Sequence, residues 1–187
     1  IGHAGTLDPL ATGLLLVCTG KFTKRINELQ GQIKEYTGTI TLGATTPSYD
    51  LETEIDNTFS MDGISEEMIR DAASQLTGEI EQYPPIFSAL KKDGKRLYEY
   101  AREGKEIQIK KRSVTVSEFE IVKLQLPDVH FRIICSKGTY IRSLAHDLGL
   151  LLNNGGHLSK LRRTKIGDYS VDTAIDPVVF ADDLLGN

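Results

Sequence analysis

The sequence predicts an α+β fold, with a mixed and mostly antiparallel sheet flanked by helices and loops. Three observations carry this. "YTGTITL" (36–42), "RSVTVSEFEIVKLQL" (112–126) and "VHFRIICS" (129–136) are rich in β-branched and aromatic residues, as strands are. The last two are separated by Pro127-Asp128, a turn signal at hairpin spacing. "GTYIRSLAHDLGLLLNN" (138–154) instead keeps its apolar residues at helical spacing. Strands and helices do not alternate regularly, so a parallel crossover sheet is not indicated.

The elements follow in chain order. Leu14 to Thr19 reads as a buried strand, and Gly20 turns the chain into a helix over Lys21 to Leu29 that Gly31 caps. Tyr36 to Leu42 is a strand, and the polar, acidic stretch from Ser48 to Ser60 is a loop. Ser65 starts a helix whose first turn carries Glu66 and Glu67, acids at the positive end of the helix dipole. That helix runs to about Leu76, before Gly78. "YPPIFSALKKDGKRL" is a loop, because paired prolines continue neither a helix nor a central strand. Leu97 to Arg102 is a short helix closed by Gly104, the 112–136 hairpin follows, and Thr139 caps the 138–154 helix.

At 187 residues, 40% apolar and 26% charged, the chain has the makings of one sizeable core, and we read residues 1–187 as a single domain. No apolar run reaches membrane-spanning length, and no leader with a cleavage site is recognisable. Cys18 and Cys135 lie far apart in apolar stretches with no metal-ligand spacing, which fits a reducing cytoplasm. The chain begins at Ile1 in mid-motif, as expected of a processed or trimmed piece.

The net charge of −4 hides an asymmetry. Acids dominate from Glu28 to Glu81, opposed by Lys34 and Arg70. Bases dominate from Lys91 to Arg112, and from His130 to Lys165 they face a single acid, Asp147. A polyanion needs a local basic surface rather than a basic average. Lys91, Lys92, Arg96, Lys137, Arg162 and Arg163 are therefore candidate phosphate contacts, although either run also suits a solvated face.

Four stretches carry candidate chemistry. In "GHAGTLDP", Gly2 and Gly5 permit unusual backbone or close approach, and Pro9 pushes Asp8 out of the helical region. Asp8 is then a reactive carboxylate held in a stiff loop, or equally the N-cap of a helix opening at Pro9. In "CSKGTYIRS", Tyr140 and Arg142 follow a glycine turn at a strand end, where an arginine could orient a carboxylate. The commoner fates are a core tyrosine and a surface arginine. In "KEYTG", Tyr36 could stack on a base or be half-buried. In "GGHLSKLRRTKIG", glycines and the Arg162-Arg163 pair suit a loop around an anion, with His157 structural.

Together "GHAGTLDPLATGLLLVCTGKFTK", "KEY", "YPPIFSALKKDGKRLYEYAREG", "CSKGTYIRSLAHDLG" and "GGHLSKLRRTKIGDY" resemble, in order and spacing, the bacterial tRNA pseudouridine-55 synthases, over nearly the whole chain. The resemblance implies a pseudouridine-synthase-like fold and isomerisation of a tRNA T-arm uridine, by a cytoplasmic monomer without metal or cofactor. It implies Asp8 as nucleophile, Tyr140 and Arg142 beside it, Tyr36 and Leu161 packing on the uracil, and His3 filling the space of the extruded base. Tyr140 is also the implied base, or relay, for the C5 proton, a role that needs a lowered phenol pKa. Family members carry a Lys-Pro-rich segment before the GH element and, in many, a C-terminal RNA-binding appendage; neither is recognisable here. A tRNA-binding module without catalysis is the alternative. A glycosidic-bond hydrolase fits less well, because no second carboxylate sits in a comparable loop to activate water.

Overall fold

The computed structural model describes the chain except residues 89, 93, 104–107 and 187. For residues 91, 92, 96, 101, 102, 184 and 185 it describes the backbone alone. Seven strands form the main sheet: β1 (Thr12–Gly13), β2 (Lys34–Leu42), β3 (Gly78–Gln82), β4 (Arg112–Gln125), β5 (Asp128–Cys135), β6 (Gly156–Ile166) and β7 (Tyr169–Ser170). Their order is β7-β6-β2-β5-β4-β3, with β1 also on β6. All these pairings are antiparallel except β1 on β6. The α+β expectation therefore holds.

The helices are α1 (Ile26–Gly31), α2 (Glu66–Gln75), α3 (Leu97–Arg102), α4 (Ile141–Leu151) and α5 (Pro177–Leu185). The main core lies between one sheet face and the helices α2 and α4. On β5, Val129, Phe131, Ile133 and Cys135 alternate inward, as a half-buried strand requires. On β4 the inward set changes parity, from Val116 to Phe119 and Ile121, across a register shift between Val116 and Glu118. One extra residue there keeps the apolar side chains on the core face. Helix α2 contributes Ile69, Ala72 and Ala73, and Ser65 caps it by accepting from the Met68 amide. Helix α4 contributes Ile141, Leu144, Ala145 and Leu148.

Several local expectations are corrected. The 14–19 stretch pairs only through Val17–Cys18, against Gly2–His3. The 21–29 helix is a 3-10 turn over Gly20–Arg25 followed by α1, which includes Gly31 and has Gln32 as its C-cap. Within the proline-containing loop, Lys91–Lys92 and Lys95–Arg96 pair about Gly94. The expected closure of α3 at Gly104 lies outside the described residues. Thr139 does not cap α4: Tyr140 occupies that position, and the Thr139 hydroxyl donates to the Ser136 carbonyl instead. The expected "GGHLSKLRRTKIG" loop is the long strand β6, hydrogen-bonded along β2. Helix α5, unanticipated, begins with an Asp176 cap and Pro177 in its first turn.

Burial sets one test of stability. It pushes the Asp147 carboxyl from the usual 3.8 up to about 6, with Lys111 opposing. Between those values the folded chain keeps a proton that the unfolded chain has lost, so stability falls as pH rises through that window. Asp147→Asn is expected to stabilise the fold by roughly 1–3 kcal/mol at about pH 8 and by nothing at about pH 3.5, read from urea melts.

Candidate active site

The loop from Gly5 to Gly13 runs from the Gly2–His3 strand to β1. Gly5 and Gly13 both have positive φ, +97° and +100°. At Gly13 a Cβ would also overlap the Arg163 backbone, so only glycine lets β1 lie against β6. Asp8 precedes a tight turn, with the Ala11 amide donating to its carbonyl, and no helix opens at Pro9. The N-cap alternative is thereby excluded.

The Asp8 carboxylate instead meets Arg142 at the start of α4. Arg142 Nε donates to Oδ2 at 3.0 Å and Nη2 to Oδ1 at 2.8 Å, a bidentate pair that fixes the direction of the carboxylate. The Arg142 side chain is 3% exposed and that of Asp8 34%. The remaining guanidinium nitrogen, Nη1, donates to the carbonyls of Ser48 (3.2 Å) and Phe87 (2.9 Å). A second carboxylate, Asp50 Oδ2, lies 3.6 Å from Nε. Sequence reasoning missed Asp50, which sits among the acids of a stretch read as a solvated loop. It is buried, and its other oxygen accepts from the Glu52 amide, so its two oxygens face the guanidinium and that amide.

Tyr140, the N-cap of α4, lies two residues before Arg142. Its backbone is clasped by the buried Gln82 side chain, whose amide donates to the Tyr140 carbonyl (3.0 Å) and whose oxygen accepts from the Tyr140 amide (2.8 Å). Burial pushes the Tyr140 phenol up, with Ser88, Arg112 and Arg142 opposing. That direction runs against the lowered pKa that a tyrosine base requires. Burial also pushes the Tyr36 phenol up, with Cys135 adding and Arg163 opposing. Leu161 lies opposite Gly38 and Arg163 opposite Tyr36 in the β6–β2 register. Asp8, Tyr36, Tyr140 and Leu161 line one small cavity of about 100 Å³.

This cavity adjoins a cleft of about 580 Å³. Its lining contains Lys34, Arg112, Lys137, Arg142 and Arg163, and Asp8 is the single acid among the described lining residues. Lys137 is exposed there. His3 is exposed on its strand and does not line the cleft. The side chains of Lys91, Lys92 and Arg96 lie outside the described residues.

The Arg162-Arg163 pair needs correction. Neighbours on a strand point to opposite faces. Arg163 is buried under the Asp8 loop and donates to the carbonyls of Leu14 (2.8 Å), Gly5 (3.0 Å) and Thr6 (3.5 Å). Its hydrogen bonds hold the loop rather than a phosphate. Arg162 is exposed beside a separate groove of about 520 Å³, with Thr37, Thr39 and His130. The pair cannot close on one anion. His157 is buried, its Nδ1 3.2 Å from the Ala44 carbonyl oxygen, a structural role.

Sequence comparison matches two family descriptions. A model of the TruB family pseudouridylate synthase N-terminal domain matches residues 1–141, and one of the tRNA pseudouridylate synthase B C-terminal domain matches residues 142–184. The chain is 65% identical to tRNA pseudouridine synthase B of Flavobacterium johnsoniae, over 98% of this chain and 80% of that protein. It is 52% identical to the protein of the same name from Bacteroides fragilis, over 97% and 78%. Among solved structures it resembles a chain in a Cbf5–Nop10–Gar1 complex (TM-score 0.70, 29% identity, 100% of this chain and 48% of that one). It also resembles one in an H/ACA RNP bound to a substrate RNA containing 2′-deoxyuridine (TM-score 0.69, 28% identity, 99% and 45%). The chain thus spans about half the length of those structural neighbours.

Proposed function

Because the chain belongs to the TruB family of pseudouridylate synthases, we propose that it isomerises a uridine in the T arm of tRNA to pseudouridine, with Asp8 as the nucleophile. One observation carries this reading: the Asp8 carboxylate is held bidentately by a buried arginine, inside an otherwise basic cleft that also holds Tyr36 and Tyr140 and adjoins the small cavity lined by Leu161.

The chemistry needs few groups. The C1′–N1 bond breaks, the uracil turns, C1′–C5 forms, the C5 proton leaves and N1 gains one. Atoms and electrons balance without a redox partner. The target base must leave its stack, at a cost of about a few kcal/mol. Tyr36 and Leu161 offer the everted base an aromatic and an apolar surface; stacking contributes about 1–3 kcal/mol. Asp8 then attacks C1′, promotes loss of the C2′ proton to a glycal, or adds to C6. All three routes need an oriented carboxylate, which Arg142 supplies. Tyr140 acts as a hydrogen-bond donor or proton relay.

Lys137 and Arg112 at the cleft rim suit the RNA backbone, whereas Arg163 is spent on the loop. Lys137→Ala is expected to reduce the salt dependence of stem-loop binding by about one unit of slope, and Arg163→Met to leave that slope unchanged, as filter binding across salt concentrations would read. No described helix is long and apolar enough to cross a membrane. We place the enzyme in the cytoplasm with its tRNA, acting as a monomer.

The deciding experiment is nucleoside analysis of a T-arm stem-loop after incubation with this chain. Pseudouridine at one position supports the isomerase. Binding or annealing without pseudouridine supports the module without catalysis.

A further inference from the structure

Helix α4 meets the 46–50 turn twice. Arg142 meets it at the Ser48 carbonyl and the Asp50 carboxylate. One helical turn further on, on the same helix face, His146 lays its imidazole flat on the Tyr49 ring, with centroids 4.0 Å apart and planes 9° apart. Tyr49 immediately precedes Asp50 and has a φ of +64°. A bulky L residue holds that left-handed conformation only where its surroundings over-determine it. The Thr46 and Ser48 hydroxyls donate to the Asp50 carbonyl, closing the turn on itself. The Tyr49 carbonyl accepts from the Leu158 amide at 2.9 Å, which ties the turn to β6.

Among the described residues, His146 Nδ1 is buried without a hydrogen-bond partner. On that edge the ring offers Tyr49 a flat surface and makes no hydrogen bond. Burial pushes its pKa down, with Asp56 opposing, so it stacks as a neutral ring. Neither His146 nor Tyr49 lines the Asp8 cleft.

We propose that the His146–Tyr49 stack is a positioning device. It fixes the left-handed turn that presents Asp50 to Arg142, and through Arg142 it sets the direction of the Asp8 carboxylate. The proposal rests on the isomerase reading for its effect on turnover. A stack that merely filled space would change stability and leave kcat alone.

The test uses the full chain, kcat and KM on a T-arm stem-loop, and hydrogen exchange at the Leu158 amide. His146→Ala is expected to lower kcat about 2- to 12-fold, the kinetic equivalent of one aromatic pair, with KM within about twofold. It also speeds exchange at Leu158. Tyr49→Gly does the same; glycine adopts the turn freely, so its loss reports the ring and not backbone strain. Tyr49 is only half-buried, which keeps this variant foldable. His146→Phe retains a flat ring and restores both readouts. Unchanged kcat in His146→Ala and Tyr49→Gly overturns the proposal whatever Leu158 exchange does, as does failure of His146→Phe to restore kcat. Exchange reads the stack without turnover. A wild-type chain that makes no pseudouridine would overturn the isomerase reading and leave exchange to decide the stack.

Discussion

Asp8→Asn is expected to lower the single-turnover rate of pseudouridine formation by about 10⁴-fold or more while stem-loop affinity stays close to wild type. The amide has nearly the shape of the carboxylate but neither its charge nor its nucleophilicity. One oxygen can still accept from Arg142, so the loop between Gly5 and Gly13 keeps its anchor there, and the Arg163 bonds to Gly5, Thr6 and Leu14 are untouched. The cleft keeps its basic lining. Rate and affinity should therefore separate. Rapid-quench nucleoside analysis reads the first and filter binding the second. An equal loss of both would assign Asp8 to RNA binding.

Arg142→Lys comes next in size. A lysine keeps the charge but not the fork. The guanidinium donates to both Asp8 oxygens and to the Ser48 and Phe87 carbonyls, with Asp50 at 3.6 Å. One ammonium cannot hold these partners in their present directions. Misplacement of a reacting group by about 1 Å can cost about 10²-fold, so kcat should fall by about that factor with a smaller change in KM. Arg142→Met goes further, because it leaves buried Asp50 without its countercharge. It is expected to cost about 3–5 kcal/mol of stability in urea melts. Full stability of Arg142→Met would show that the two carboxylates do not depend on the guanidinium.

The sheet was legible because its strands carry their own signal. β5 alternates without interruption, and the Pro127 turn sets the hairpin with β4. The parity change along β4 was not legible, since a register shift leaves the composition of the strand unchanged. The Asp8 loop stood out through its glycines and Pro9, and Tyr140 and Arg142 through the turn that presents them. Asp50 did not. Its neighbours Glu52, Glu54 and Asp56 are of the same residue types, and contacts far apart in sequence, such as the bridge between Asp50 and Leu158, bring it to Arg142. Arg162 and Arg163 misled as a pair because adjacency in sequence suggests a shared anion. The apolar spacing of Leu158, Leu161 and Ile166 marks the core-facing side of a strand with irregular register, and a strand parts its neighbours to two faces. Gln82 and the His146–Tyr49 contact are also products of tertiary packing, with no local pattern to mark them.

The most direct measurement is the structure of Asp8→Asn bound to a T-arm stem-loop. The uracil should be everted and packed between Tyr36 and Leu161, with its ribose C1′ within about 3–3.5 Å of the residue-8 side chain, the distance of a near-attack geometry. A uridine still stacked in the loop, or one seated in the separate groove beside Arg162, would contradict the account.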